Sequence, residues 1–527
     1  MKTRTIYKYA AAFLLAGATL ASCDDFLDKT PDNRATVDSE DKVTALLTSA
    51  YPGAGFAYLC EMYSDNIDKE DVATYTTYQK LEDEAALWKD ITYNDEDGDS
   101  PNALWDKHYI AAAAANQALE AIEELGEPES LNGQKAEALM CRAYAHWVLV
   151  NIFCKNYNPE TSATDPGIKY SESPETQLIP DNDRGTVAEV YEKIDRDIQE
   201  ALPLLDDGHL TVPKYHFNKR AAYAFAARFY LFYTQKDGSN YDKAIKYASE
   251  ALGNNPTTVL RDWATVGTKA VNNSVRAMAF TDASDPANFL IASTYSLWAR
   301  VCGPYGLAYK YCHDNFIANN ETCAKNPWGT KSTLYFTIPQ YSSMPKVIMA
   351  KTAEYFEYTD VVNGIGNPHD MFVLFSSDET LLIRAEAYIL KGDYENGAAD
   401  LNLWGTRFYK SATDKTSDEI ADFYDQLDYY TPEDPTPKKA LNPEGFTVSA
   451  GKQENMIHAV LAARRILLLH EGFRWFDVKR YGIEIYRRAI KNNKLNEIID
   501  TMKKDDPRRA IQLPQSVIAA GVEANKR

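Results

Sequence analysis

Two stretches of the chain, about 150 residues apart, repeat one spacing of small and aromatic residues, and this recurrence restricts the fold more than any other feature. In the first, Ala227 and Tyr230 stand three apart; after a turn, Tyr241, Ala244, Ala248 and Ala251 follow at helical intervals before Pro256. In the second, Ala385, Tyr388, Gly392, Tyr394, Gly397 and Leu401 keep the order with a shorter turn. Small residues along one helical face let a partner helix approach closely, so each stretch predicts a tightly packed helix pair.

The spacing is similar to that of tetratricopeptide units, whose neighbours recur every ~34 residues. Two copies so far apart therefore predict a large insertion between halves of a helical scaffold. The expected fold class is mostly α, with tetratricopeptide-like pairs in a right-handed superhelix and a loop-rich inserted lobe. Other helical patterns agree: Ala103 to Leu125, Gln134 to Phe153, and Thr186 to Leu205, the last with Thr186 and Glu189 in capping-box positions. Between Thr257 and Asp378 the period fades, and Gly, Pro, Asn and aromatics accumulate, including Trp263, Trp298, Tyr305, Tyr309, Tyr311 and Trp328. A shorter stretch, Tyr58 to Asp99, has the same character. Loops of this length in a compact chain are usually functional.

At the N-terminus, Lys2, Arg4 and Lys8 precede the apolar run Ala10 to Leu20, nearly half short of the ~30 Å hydrocarbon core even if helical. It reads as the apolar part of a signal peptide. Leu20-Ala21-Ser22-Cys23 resembles the bacterial lipobox, which implies cleavage before Cys23 and lipidation of its thiol. Asp24 and Asp25 resemble the acidic signal that directs such lipoproteins to the cell surface.

The formal charge of −20 becomes −23 once the three cations of the leader are removed, a balance that disfavours nucleic acid. Beyond Cys23 the cysteines are Cys60, Cys141, Cys154, Cys302, Cys312 and Cys323, without a Cys-x-x-Cys pair or zinc-spaced histidines. Their pairing is left open. His470-Glu471 lacks the second histidine of a zinc protease, because that position is Arg474. Asp95-Glu96-Asp97-Gly98-Asp99 resembles a calcium loop, yet aligned on Gly98 the first ligand is Tyr93 and the twelfth Leu104, so a solvated acidic turn is expected. There is no Gly-x-Ser-x-Gly elbow and no phosphate loop. No enzyme activity, metal or cofactor is expected.

Near the C-terminus, AARRILLLHEGFRWFDVKRYG (462–482) resembles the hallmark helix of the SusD/RagB family of Bacteroidetes outer-membrane lipoproteins. Arg464, Arg465, Leu468, Glu471, Gly472, Arg474, Asp477 and Arg480 match; Ala463 and Leu467 replace two glutamates, and Tyr481 replaces a tryptophan. LLIRAEAYILKGDY (381–394) is similar to a second family segment. The motif itself reads as structural: Arg464, Glu471, Arg474 and Asp477 interlock around a bend at Gly472, with Trp475 and Phe476 buried. The resemblance implies a cell-surface glycan-binding lipoprotein of the outer membrane that delivers oligo- or polysaccharide to a SusC-like TonB-dependent transporter. Capture of peptides by the same scaffold, or an assembly role without small ligand, are the alternatives. The expected organisation is a signal peptide (1–22), a lipidated tether (23–38), an N-terminal helical region (39–256), the ligand-binding insert (257–378) and C-terminal helices (379–527).

Tyr and Trp faces stack on the apolar faces of sugar rings while polar neighbours take the hydroxyls. Tyr305 lies between Pro304 and Gly306, and Trp328 between Pro327 and Gly329, so both are expected on exposed turns. Tyr75 and Tyr78, three apart among threonines, join them as stacking residues, with Asn66 and Asp68 as hydroxyl partners. Trp298, in an apolar context, is expected in the core.

Overall fold

The computed structural model describes residues 37–93, 98–174, 183–271, 274–303, 309–340 and 344–527. The signal peptide, Cys23 and Tyr305 lie outside the described residues, as do Asp95, Glu96 and Asp97 of the acidic turn. The longer helices are α1 (Glu40–Leu47), α2 (Ala57–Tyr63), α3 (Lys80–Ala86), α4 (Pro101–Glu124), α5 (Asn132–Phe153), α6 (Val187–Ala201), α7 (Lys219–Phe232), α8 (Ser239–Leu252), α9 (Ser377–Leu390), α10 (Tyr394–Phe408), α11 (Ser417–Asp425), α12 (Lys452–Leu467) and α13 (Phe473–Arg480).

Local chemistry explains their ends. Ser100 caps α4 by accepting from Ala103 N at 3.2 Å, with Pro101 in the first turn. At α6 the expected capping box forms: Glu189 N donates to Thr186 Oγ1 at 3.2 Å, and Thr186 N to Glu189 Oε2 at 2.8 Å. Gly392, at φ +83°, ends α9 in the left-handed conformation.

The two repeated stretches form the pairs α7/α8 and α9/α10, and α8 packs directly against α9. The small residues have the expected use. Ala227, Ala244, Ala248, Ala251 and Ala385 are fully buried, and a Cβ on Gly397 would stand 2.5 Å from Ile389 Cγ1. The segment between the pairs leaves the helices and returns to them. Around this centre α4 packs on α5, α5 on α6, and α12 on both α9 and α11.

The departing segment supplies a three-stranded antiparallel sheet in the order β2-β5-β4, from β2 (Asn288–Tyr295), β4 (Glu354–Asp360) and β5 (Ile365–Ser376). A four-stranded sheet runs β3-β1-β6-β7, from β1 (Asp68–Glu70), β3 (Tyr311–Cys312), β6 (Ile485–Lys491) and β7 (Lys494–Met502). β1 is its keystone. It pairs antiparallel with β3 and parallel with β6, so the early loop, the insert and the C-terminal hairpin meet in one sheet.

Beneath that sheet lies a buried lattice of ions. Asp65 pairs with Arg474 at 2.8 Å and Lys439 at 2.8 Å; Glu321 pairs with Arg465 at 2.7 Å, Lys439 at 2.8 Å and Arg488 at 2.9 Å. Asp68 pairs with Arg488 at 2.7 Å. Asn66 donates to Glu61 Oε2 at 3.0 Å and accepts from Arg465 Nε at 2.9 Å. Asn66 and Asp68 are therefore corrected from ligand partners to structural groups, 0% and 1% exposed, because every strong partner they have is internal. The C-terminal motif is structural as expected, with Trp475 and Phe476 buried and Arg464 bonded to Asp477 at 3.0 Å. Its other two charges reach further: Arg474 goes to Asp65, and Glu471 pairs with Lys351. Gly472, at φ +82°, lets the bend pass close to α2: a Cβ there would stand 2.8 Å from Ala57 Cα.

All six cysteines from Cys60 to Cys323 are buried free thiols. Among the described residues, no helix is long and apolar enough to cross a membrane.

Candidate functional site

The β1–β3 pairing carries two distant loops to one face. Glu70 N donates to Lys310 O at 2.8 Å, and Tyr309 N to Thr76 O at 3.4 Å, so the strand contact continues as a seam between 70–76 and 309–312. Tyr75 and Tyr309, half-buried, stand across that seam with ring centroids 5.9 Å apart and planes at 48°. Among the described residues the Tyr75 hydroxyl makes one long contact, to Met344 Sδ at 3.6 Å. Burial and the neighbouring Glu70 carboxylate hold its pKa above the usual phenol range, so it stays a donor at neutral pH.

Tyr78, also half-buried, receives a hydrogen bond on its hydroxyl from Arg300 Nη1 at 3.2 Å. Arg300 is locked to Glu354 by two parallel bonds, Nη2 to Oε1 at 3.0 Å and Nε to Oε2. The backbone under Tyr78 is equally fixed. Buried Glu82 accepts from Tyr78 N at 2.7 Å, Gln79 N at 3.0 Å and the Tyr58 hydroxyl at 3.0 Å. Asp83 accepts from Lys310 Nζ at 2.6 Å and from the Tyr311 hydroxyl at 3.0 Å, closing the seam from the other side. Lys346 lies 4.9 Å from the centre of the Tyr309 ring and donates to Val301 O. The result is a shelf of three half-exposed rings bordered by Arg300, Glu354, Lys310, Asp83 and Gln79. Such a set offers flat apolar faces and both donors and acceptors at their rims.

Burial pushes the Glu70 carboxyl beneath the shelf up to about 7, with a hydrogen bond to Asp314 opposing that rise. Among the described residues no group of three His, Cys, Asp or Glu side chains is arranged to hold a metal ion.

Of the residues expected at the site, Tyr75 and Tyr78 are on this shelf together. Trp328 is corrected to a core residue. Its turn forms as expected, with Asn326 Oδ1 accepting from Trp328 N and Gly329 N, each at 3.0 Å. The turn, however, lies against α10. The ring is 4% exposed, packs edge-on to Trp404 at 5.9 Å, and donates from Nε1 to Asn402 Oδ1 at 2.9 Å. Gly405 makes the space: a Cβ there would stand 2.4 Å from Trp328 Cγ. Trp298 is in the core as expected, 1% exposed, its Nε1 donating to His470 O at 2.7 Å.

Sequence reasoning did not select Tyr309, Arg300, Glu354 or Lys310 for the site. Tyr309 had a faint signal, the alternation Tyr309-Lys310-Tyr311 of a short strand. Arg300 had none, since it meets Tyr78 across 222 residues of chain.

Comparison with known proteins follows the same outline. A model described as starch-binding associating with outer membrane matches residues 25–231, and the SusD family model matches residues 319–516. SusD-like protein P2 of Formosa agariphila is 23% identical over 520 residues, covering 91% of this chain and 92% of the relative. A SusD superfamily protein from Bacteroides fragilis superposes with a TM-score of 0.62 at 16% identity, over 94% of this chain and 100% of its own. A SusD-like carbohydrate binding protein from Bacteroides vulgatus superposes with a TM-score of 0.58 at 15% identity, over 91% of this chain and 96% of its own. At these identities the structures attest the fold.

Proposed function

Because the chain belongs to the SusD/RagB family, we propose that it is a noncatalytic, lipid-anchored glycan-binding protein of the outer membrane. It captures an oligo- or polysaccharide at the cell surface and passes it to a SusC-like TonB-dependent transporter. The observation that carries this reading is the convergence of Tyr75, Tyr78 and Tyr309 on one shelf with Arg300 and Glu354 at its edge. Sugar rings present apolar C–H faces to such rings and hydroxyls to such rims. Extended peptides also use aromatic surfaces, and the two ligand classes are separated by experiment.

The mature protein is run through native gels containing starch or other polysaccharides, and titrated in parallel with peptide pools. Retardation by one polysaccharide, without shortening of the polymer, is the expected result. Binding to peptides alone, or products that grow with protein concentration, overturns the reading. The anchor rests on Leu20 to Cys23. Replacing Cys23 by Ala is expected to move the protein from the outer-membrane fraction to the soluble one, because acyl chains contribute roughly 0.8 kcal/mol per buried methylene.

A further inference from the structure

Thirteen large apolar or aromatic side chains are exposed among the described residues, and five of them lie on one hairpin: Phe356, Tyr358, Val361, Val362 and Ile365. Val361 and Val362 at its tip are 79% and 94% exposed, where polar turn residues are the rule. The tip is nonetheless rigidly built. Asp360 Oδ1 accepts from Val362 N at 3.0 Å and Asn363 N at 3.1 Å, Asn363 Nδ2 donates to Oδ2 at 2.5 Å, and Gly364 turns the chain at φ +67°. The two valines are thus held out in a set position.

β4, the strand leading to that tip, is an edge. It pairs with β5 on one side and, among the described residues, with no strand on the other. Edge strands ordinarily carry lysines, prolines or bulges that prevent a further strand from adding. Of the other long edge strands, β2 is mostly buried, and β7 begins with Lys494 and faces β6 across two register shifts. β4 reads EYFEYTD, with no lysine, arginine or proline, and its one register shift against β5 falls at the tip end, between Tyr358 and Asp360. Its exposed rings Phe356 and Tyr358 project from one face, 4.9 Å apart, and the Phe356 ring lies over Gly366 of β5.

We propose that β4 and its tip are a docking edge for an extended polypeptide segment of the transporter, one that carries apolar residues and Lys or Arg. This inference rests on the partner reading above. A strand added to β4 satisfies the open backbone groups, while its alternate side chains cover Phe356, Tyr358 and the valines. A second copy of the chain is a poor occupant, since β4 against β4 brings Glu357 and Asp360 against the same acids, Glu354 being already paired with Arg300. A bilayer interior leaves the edge's backbone groups without partners. A sugar stacks on the two rings but makes no use of the open backbone edge or of the valines. Glu357 and Asp360, which repel a copy, attract a basic segment.

The test uses the full lipoprotein expressed in its native cell, with recovery of TonB-dependent transporters from detergent extracts measured by mass spectrometry. The tip variant Val361→Asp/Val362→Asp and the edge variant Phe356→Lys/Tyr358→Lys are expected to lower that recovery by about tenfold or more. Polysaccharide retardation and melting temperature are expected to stay at wild-type values, since all four positions are exposed. A photo-crosslinking residue at position 362 is expected to capture the transporter. Undiminished recovery by both variants, or crosslinks only to a second copy, overturns the docking edge while leaving the partner reading in place. Failure of the wild type to recover any such transporter overturns the partner reading, and this inference with it.

Discussion

Between Asp65 and Tyr75 the chain passes from an interior dense with ions to a surface laid with half-exposed rings. The first region joins Asp65, Asp68 and Glu321 to Arg465, Arg474, Arg488 and Lys439, all buried and all within hydrogen-bond reach of an opposite charge. The second region, Tyr75, Tyr78 and Tyr309, is held by fewer and longer side-chain contacts, and its residues are half-exposed. In these two regions the charges are inside and the rings are half outside, the reverse of the usual expectation. Charges can go inside because each meets its partner there, and a ring left half outside at a shaped edge is available to a ligand.

The sharpest way to break this contrast is at Glu321, which serves three cations at once. Glu321→Ala leaves Arg465, Lys439 and Arg488 short of a counter-charge, and a loss of about 3–5 kcal/mol in stability is expected, read by denaturant unfolding. A wild-type transition midpoint in that variant sinks the claim that the lattice is structural.

A paired measurement separates core rings from shelf rings. Trp328→Ala is expected to cost about 3 kcal/mol or more of stability with polysaccharide affinity unchanged in the folded protein. Tyr75→Ala and Tyr309→Ala are each expected to weaken binding by roughly 1–3 kcal/mol with the melting temperature nearly constant. An exchange of those outcomes reverses the assignment of both places.

The smallest effect concerns acid. Burial holds the His313 imidazole down to about 3, while its Nδ1–H donates to Asn66 O at 2.9 Å at the border of the lattice. As pH falls through 6.5, the unfolded histidine takes up a proton that the folded one refuses, so acid favours unfolding until about pH 3. His313→Asn keeps a donor and removes the titration. Relative to that variant, the wild type is expected to lose about 1 kcal/mol of stability between pH 7.5 and 5.5. Parallel pH profiles for the two proteins count against a buried neutral imidazole.

Much of the scaffold was legible without coordinates, because its determinants are local. The α6 capping box, the small faces of α7 to α10 and the glycine after α9 depend on residues within a turn or two of one another. The site was legible only in part. Tyr75 and Tyr78 are singled out by their loop and both lie in the candidate site, but Trp328 was assigned outward from a correctly identified turn, since the turn does not state which side faces α10.

By itself, then, the sequence determined the helix pairs, the interruption between them and the family motif at 462–482, all of which are written in periodicity and spacing along one segment. Tertiary structure decided which polar residues are interior and which rings share a shelf. Asn66 and Asp68 are buried because Arg465 and Arg488 arrive beside them from about 400 residues away. Tyr309 joins Tyr75 because β3 pairs with β1. The physical reason is common to both: burial of a polar group is decided by whether a partner is present to replace water, and here the partners come from the far end of the chain.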